Sequence, residues 1–195
     1  LQLLYVLVPA AAVAGLIIEL TGRWEARTHR RYAYPHRLGY ALAEIHDFLP
    51  ACRRSAELVR TWLDLDAVVV SWLSEDGQTL EPLAASGLPD GWCEGAAQRP
   101  ASDCGLNGAA PAPGSLLRRP AAEDSWFRDR FPGRYVVYVP LLSREAAHGS
   151  LAVVARRRNP QLGDRRLLSA IGMVLGLALD NCRLYEGQRA HAQHF

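Results

Sequence analysis

Tyr135–Leu142 reads YVVYVPLL and is followed, after a short connection at Ser143–Gly149, by Ser150–Ala155, SLAVVA; this pair of runs decides the fold class. β-Branched and aromatic residues crowd both runs, which suits a pleated and largely buried strand. A connection this short joins antiparallel neighbours. Upstream, Asp66–Leu73 (DAVVVSWL) has the same character, ends at the turn Glu75-Asp76-Gly77, and is followed by Thr79–Ala85 before Gly87 and Pro89. That is a second antiparallel hairpin.

Helical periodicity takes over on both sides. From Arg165 onward, Leu167, Leu168, Ile171, Val174, Leu175, Leu177, Ala178 and Leu184 recur at three- and four-residue spacing, which predicts a long helix reaching Tyr185 or beyond. Ahead of the first hairpin, Leu38, Ala41, Leu42 and Ile45 define an apolar helical face that begins near His36. Tyr32–Pro35 reads as a break, because a proline disfavours helical geometry in the residue before it. Pro50 is expected to interrupt the helix and Ala51–Leu63 to resume it.

Between the hairpins, Leu88–Pro113 is dense in Gly, Pro and Ala and reads as a loop, with a short helix expected around Cys104–Ala110. Ser115–Arg118 suits a short strand, Ser125–Phe131 a turn of helix, and Asn159–Asp164 a loop. The order of elements predicts an α+β domain: an antiparallel sheet with helices on one face and a long crossover on the other. The terminal helices are expected to pack together.

The first eighteen residues, Leu1–Ile18, carry no charge and run into Arg23, Arg27, His29, Arg30 and Arg31. Leu1–Leu20 has the length for a membrane-spanning helix, and an arginine-rich flank marks the cytoplasmic side. A signal peptide would place its positive charge first and a cleavage site after; a buried core helix is the other alternative. The expected organisation is a transmembrane helix at 1–20, a basic connector at 21–37, a domain at 38–186, and the start of a signalling helix or linker at 187–195.

The chain has 195 residues, 49% hydrophobic, with a net charge of only +2, enough apolar material for one domain and no continuous basic face for nucleic acid. Cys52, Cys93, Cys104 and Cys182 lie far apart and show no metal-binding spacing. No P-loop, nucleophile-elbow serine, H-E-x-x-H or paired-carboxylate motif is present, so no catalytic residues are assigned.

Taken in order, DAVVVSWLSEDG, AASGLP, the Cys104-Gly105 start of the middle helix, Val139-Pro140-Leu141, GSLAVVARR, GDRRLLSAIG and LALDNCRLYE resemble a GAF domain. The similarity is strongest to the GAF domains of membrane-bound bacterial sensor histidine kinases, and it covers roughly Leu38–Glu186. Two departures stand out. Family members often carry an aspartate after the strand that follows the middle helix, whereas here the segment reads SLLRRPAAEDSWF, with Asp124 loosely placed. Leu162 stands where an aromatic is usual before the closing helix.

The resemblance implies a sensory module that binds a small ligand and relays its state through terminal helices to an output domain, with a histidine kinase the expected output. It implies a homodimer paired through its N- and C-terminal helices, tethered to the inner membrane with the domain in the cytoplasm. A ligand-free dimerisation spacer is the alternative. The pocket would lie between the sheet and segment 88–131, lined by Trp92, Cys104, Leu106, Trp126, Phe127 and Tyr138. Ordinary core is the other reading of each of these side chains. Cys93 and Cys104 share the segment and are candidates for a thiol switch, although Arg99 is the nearest cation in sequence. Cyclic nucleotides, bilins, haem and small anions are the ligand classes the resemblance raises, and the residues single out no cofactor. His148 is expected to be solvated at a hairpin tip.

Overall fold

Period-two alternation along the central strands sends successive side chains to opposite faces, and both faces are apolar. Val68, Val70, Val137, Val139, Leu151 and Val153 point to one side and Ala67, Val69, Val136, Tyr138, Ala152 and Val154 to the other, so the sheet separates two cores. Each fully buried valine contributes about 1.5–3 kcal/mol over its exposed state. The computed structural model describes residues 33–106, 115–144 and 146–192. Its strands are β1 (Ala67–Leu73), β2 (Thr79–Ser86), β3 (Arg99–Pro100), β4 (Leu117–Pro120), β5 (Arg134–Ser143) and β6 (Ala146–Arg156). They pair antiparallel throughout, in the order β3-β2-β1-β6-β5-β4. The α+β arrangement expected from the sequence is the one observed.

One face is covered by α1 (33–42), α2 (Phe48–Leu63) and α5 (Arg165–Ala192), with the one-turn α4 (Pro160–Gly163) leading into α5. The other face carries the irregular segment with the one-turn α3 (Trp92–Gly95) and two 3-10 turns, Ala101–Cys104 and Ala121–Glu123. By length and composition α5 is apolar enough to cross a membrane, yet Leu167, Leu168, Ile171, Leu175 and Leu179 are buried within the domain. It is a core helix. Gly172 and Gly176 bring it against β5: a Cβ on Gly176 would stand 2.4 Å from the Leu142 carbonyl oxygen, and one on Gly172 would stand 2.5 Å from that of Pro140.

Several local expectations are corrected. Tyr34 and Pro35 lie inside α1, where Pro35 is buried and Tyr34 stacks on Trp62 at 6.1 Å. Pro50 does not interrupt a helix. It occupies the first turn of α2, where backbone N–H groups have no intrahelical partner to lose, and the break falls earlier, at residues 43–47. The turn expected to open at Cys104 ends there instead, and residues 107–114 lie outside the described residues. Asn159–Asp164 is α4 rather than a loop, capped by the Asn159 side chain, which accepts from Gln161 N at 2.8 Å.

His148 is not at a hairpin tip. It lies within β6, half-buried, stacked on Trp72 at 5.5 Å with Nε2 3.9 Å from an Asp180 carboxylate oxygen. β6 starts two residues before it, so the turn falls earlier. Leu162, in the place of the usual aromatic, is 3% exposed and fills the helix-side core. α5 continues through the expected boundary at 186 without a break. The expected membrane span, Leu1–Leu20, lies outside the described residues.

Candidate functional site

Six strands about 4.8 Å apart would place the two edge strands about 24 Å from each other if the sheet were flat. In this structure a single carboxylate bridges side chains from both edges. Arg99 extends from β3, held in register opposite Leu80, and Arg119 extends from β4, opposite Val136. Both guanidiniums converge on Asp124, which follows the 3-10 turn Ala121–Glu123. The sheet therefore curls around its irregular face, and Asp124 closes the curl.

Asp124 is fully buried, accepts four hydrogen bonds and forms an ion pair with Arg119, whose Nη2 donates to the Asp103 carbonyl at 2.7 Å. The hydrogen bonds come from Arg99 Nη1 at 3.2 Å and Nη2 at 3.0 Å, the Tyr138 hydroxyl at 2.6 Å and the Trp126 backbone N–H at 3.0 Å, and Arg119 Nη2 lies 2.8 Å from the carboxylate. Arg99, only 4% exposed, also donates to Ser125 Oγ at 2.7 Å and to the Tyr138 hydroxyl oxygen, and its guanidinium lies 4.0 Å from the centre of the Trp126 ring. Trp126 is fixed in turn by its indole N–H, which donates to the Ala97 carbonyl at 3.0 Å.

Two guanidiniums face one carboxylate, so the network carries a surplus positive charge. The Nε atoms of both Arg99 and Arg119 are buried and lack a hydrogen-bond partner. Such groups are costly unless a further acceptor satisfies them.

The surroundings shift the titrating groups in consistent directions. Burial alone would raise the Asp124 carboxyl, but hydrogen bonds from Arg99 and Tyr138 and the Arg99 charge outweigh it and hold Asp124 below its usual value. Burial opposes the charge on Arg99, while the bond to Asp124 and the neighbouring Tyr138 and Asp124 raise it overall. Tyr138 is raised by burial and then by the Asp124 charge, so its hydroxyl remains a donor.

Of the residues predicted to line a pocket, Cys104, Leu106, Trp126, Phe127 and Tyr138 are all buried together in the irregular-face core, and Trp92 packs on its edge, 5.7 Å from Trp126 and 6.3 Å from Phe127. The two candidate thiols face different surroundings. Cys104 Sγ lies 3.8 Å from Arg99 Nη1, yet burial outweighs that charge and pushes the thiol up to about 11. Cys93 lines a cavity of about 280 Å³ with Arg53 and Glu57 of α2, and burial raises it as well, followed by the Glu94 charge. All four cysteines are free.

Asp124 is the main correction. Asp124 is firmly rather than loosely placed, because the turn Ala121–Glu123 after β4 folds the chain back over the sheet and buries its carboxylate. Arg99 and Arg119 were not foreseen as site residues. Neither sits in a motif, and only the closing of the curl brings positions 99, 119, 124 and 138 together.

No protein-family model and no curated protein matches this chain. Solved structures do. The GAF domain of a protein assigned as a sensor histidine kinase from Pseudomonas syringae pv. tomato superposes with a TM-score of 0.59 at 16% identity, covering 88% of this chain and 99% of that one. The GAF domain of an Acinetobacter phosphoenolpyruvate-protein phosphotransferase gives 0.57 at 15% identity, covering 78% and 93%. Free methionine-R-sulfoxide reductase from Neisseria meningitidis, in complex with its substrate, gives 0.58 at 14% identity, covering 77% and 88%. At these identities the likeness establishes the architecture: the chain has the GAF fold.

Proposed function

We propose that this chain is a non-catalytic sensory domain that binds a small anion beneath its irregular segment and reports occupancy through α5. The carrying observation is the buried Arg99–Arg119–Asp124–Tyr138 network, with its surplus positive charge and two unpartnered guanidinium N–H groups. An incoming carboxylate or phosphate competes with Asp124 for the arginines. The neighbour solved with its substrate supports the idea that this fold accommodates a small molecule.

Relay requires that ligand be bound unequally by two conformations. α5 rests directly on β5, the strand that carries Tyr138, and so is positioned to respond. The neighbour assigned as a sensor histidine kinase favours a kinase as the output domain, and Leu1–Leu20 would anchor the protein in the membrane with the domain in the cytoplasm. Tyr40, Met173, Leu177 and Tyr185 expose apolar surface along α1 and α5 beside a groove of about 690 Å³ and are candidates for pairing with a second copy. Sedimentation of wild type against Leu177→Glu tests that pairing: an unchanged mass removes it.

The experiment for the ligand is a thermal-shift series with acetate, phosphate, sulfate and amino acids on wild type and Arg119→Gln. A true ligand at roughly 100 times its dissociation constant stabilises wild type by about 2.7 kcal/mol and the variant by less. The absence of any shift with every anion would leave the second reading, a spacer between membrane and output. The complete burial of Phe127 and the 1% exposure of Tyr138 favour that reading.

A further inference from the structure

The described chain enters the domain at an end that is rich in arginine. Tyr34, at the start of α1, stacks on Trp62 in the last turn of α2. Asn159 Nδ2 donates to the carbonyls of Leu63 and Asp64 at 3.4 and 3.0 Å, so the run Arg156–Arg158 that precedes it lies at the same end. Arg134 opposes Arg156 across the β5–β6 ladder and pairs with Asp66 at 2.9 Å. Arg118 and Arg157 both approach the Tyr135 ring, at 4.8 and 5.9 Å from its centre, and Arg118 Nη2 donates to the Arg157 carbonyl at 3.3 Å.

Arg118, Arg156, Arg157 and Arg158 are exposed, and among the described residues none has an acidic partner within 4 Å. The same end also carries Asp64, exposed beside Asn159, and Asp66, paired with Arg134, while Asp47, Glu75, Asp76 and Glu186 are exposed at the opposite end. The chain contains no lysine, so its 22 permanently charged basic side chains are all arginines. Guanidinium is weakly hydrated and pairs with phosphate oxygens in a two-pronged geometry.

We propose that this end of the domain docks on a bilayer surface of anionic phospholipid. The inference rests on the membrane-anchor reading in one respect: residues 21–32 reach at most about 40 Å even when fully extended, so a bilayer holding Leu1–Leu20 lies within that distance of the arginines. That proximity selects a lipid surface over nucleic acid as the partner. Tyr135 holds two of the guanidiniums in place before contact. The surface potential that attracts them decays within a Debye length of about 8–10 Å, so docking is an on-off contact sensitive to salt and lipid composition.

The test uses the full chain with vesicles of neutral phosphatidylcholine, with and without phosphatidylglycerol. Flotation with neutral vesicles at about 0.5 M salt reads the anchor alone, because charge is screened there. Docking is read by hydrogen exchange of the backbone amides of residues 156–162. Protection on anionic bilayers, absent on neutral ones and lost on raising salt, supports the proposal. The variant R118E/R156E/R157E/R158E should lose it, with each arginine worth about fivefold in partitioning. Should that variant unfold, the salt titration of wild type still decides. Equal exchange on both bilayers, or protection that survives the variant, overturns the proposal, as does tighter binding to duplex DNA than to anionic vesicles. A chain that fails to float on neutral vesicles refutes the anchor instead; docking is then read from low-salt flotation on anionic vesicles.

Discussion

Replacing Asp124 with alanine removes an acceptor of four hydrogen bonds and the carboxylate that both guanidiniums face, leaving their charge uncompensated. Arg99 is 4% exposed and cannot turn to water, whereas the Arg119 side chain is 23% exposed and can. Breaking a buried pair by deleting one partner costs about 3–5 kcal/mol, and the partial exposure of Arg119 places this site at the lower end, about 3 kcal/mol. For a domain of this size that corresponds to a fall in melting temperature of roughly 6–12 °C. Urea and thermal unfolding measure the loss, and a second arm adds acetate. If the arginines recruit anions, acetate fills the vacated position and restores part of the stability of Asp124→Ala while leaving Asp124→Asn nearly unchanged. A loss below about 1 kcal/mol would show that the network is solvated, and the argument for a buried cationic site would fail.

Three further outcomes follow from the same structure. The folded Asp124 carboxyl titrates below its reference value of 3.8, so its stabilisation is complete above about pH 4 and is lost as pH falls through the lower folded value; acid unfolding of Asp124→Asn should lack that component. Gly176→Ala places a methyl 2.4 Å from backbone that cannot yield and should destabilise by about 1–3 kcal/mol in chemical denaturation. Of the four thiols, Cys93 should react first with an aromatic disulfide reagent at mildly alkaline pH, while Cys52, pushed up to about 12 by burial, and Cys104 wait for unfolding; rapid labelling of Cys104 would contradict its burial.

The sheet and its closing helix were legible because their signals are local. Alternation in YVVYVPLL and periodicity from Leu167 to Leu184 each report a face that must be buried, and those faces meet as expected. Pro50 misled because proline is a breaker only after the first helical turn, and its position within α2 depends on where Asp47 ends the preceding bend. The aromatic lining of the irregular face was readable from composition; its charged centre was not. Arg99 pairs with a carboxylate 25 positions away, and a hydroxyl at position 138 completes the set. Nothing in the residues around Arg99 or Arg119 records that the two edges of the sheet will meet.

The sheet is a partition only one strand thick. Tyr138 belongs to the charged side, while its neighbours Val137 and Val139 belong to the helical side. A Cβ added to Gly172 of α5 would stand 2.5 Å from the Pro140 carbonyl oxygen and 2.7 Å from Val139 Cγ1, so at this point helix and strand are in near-direct contact, with only the stiff β-branched Val139 side chain between them. A displacement of the Tyr138 ring thus has one peptide unit to cross before it reaches α5, and the glycines leave little slack there to absorb it. If α5 relays occupancy as proposed, stiffness at that single crossing, rather than a long chain of intermediary residues, sets how much of the displacement it receives.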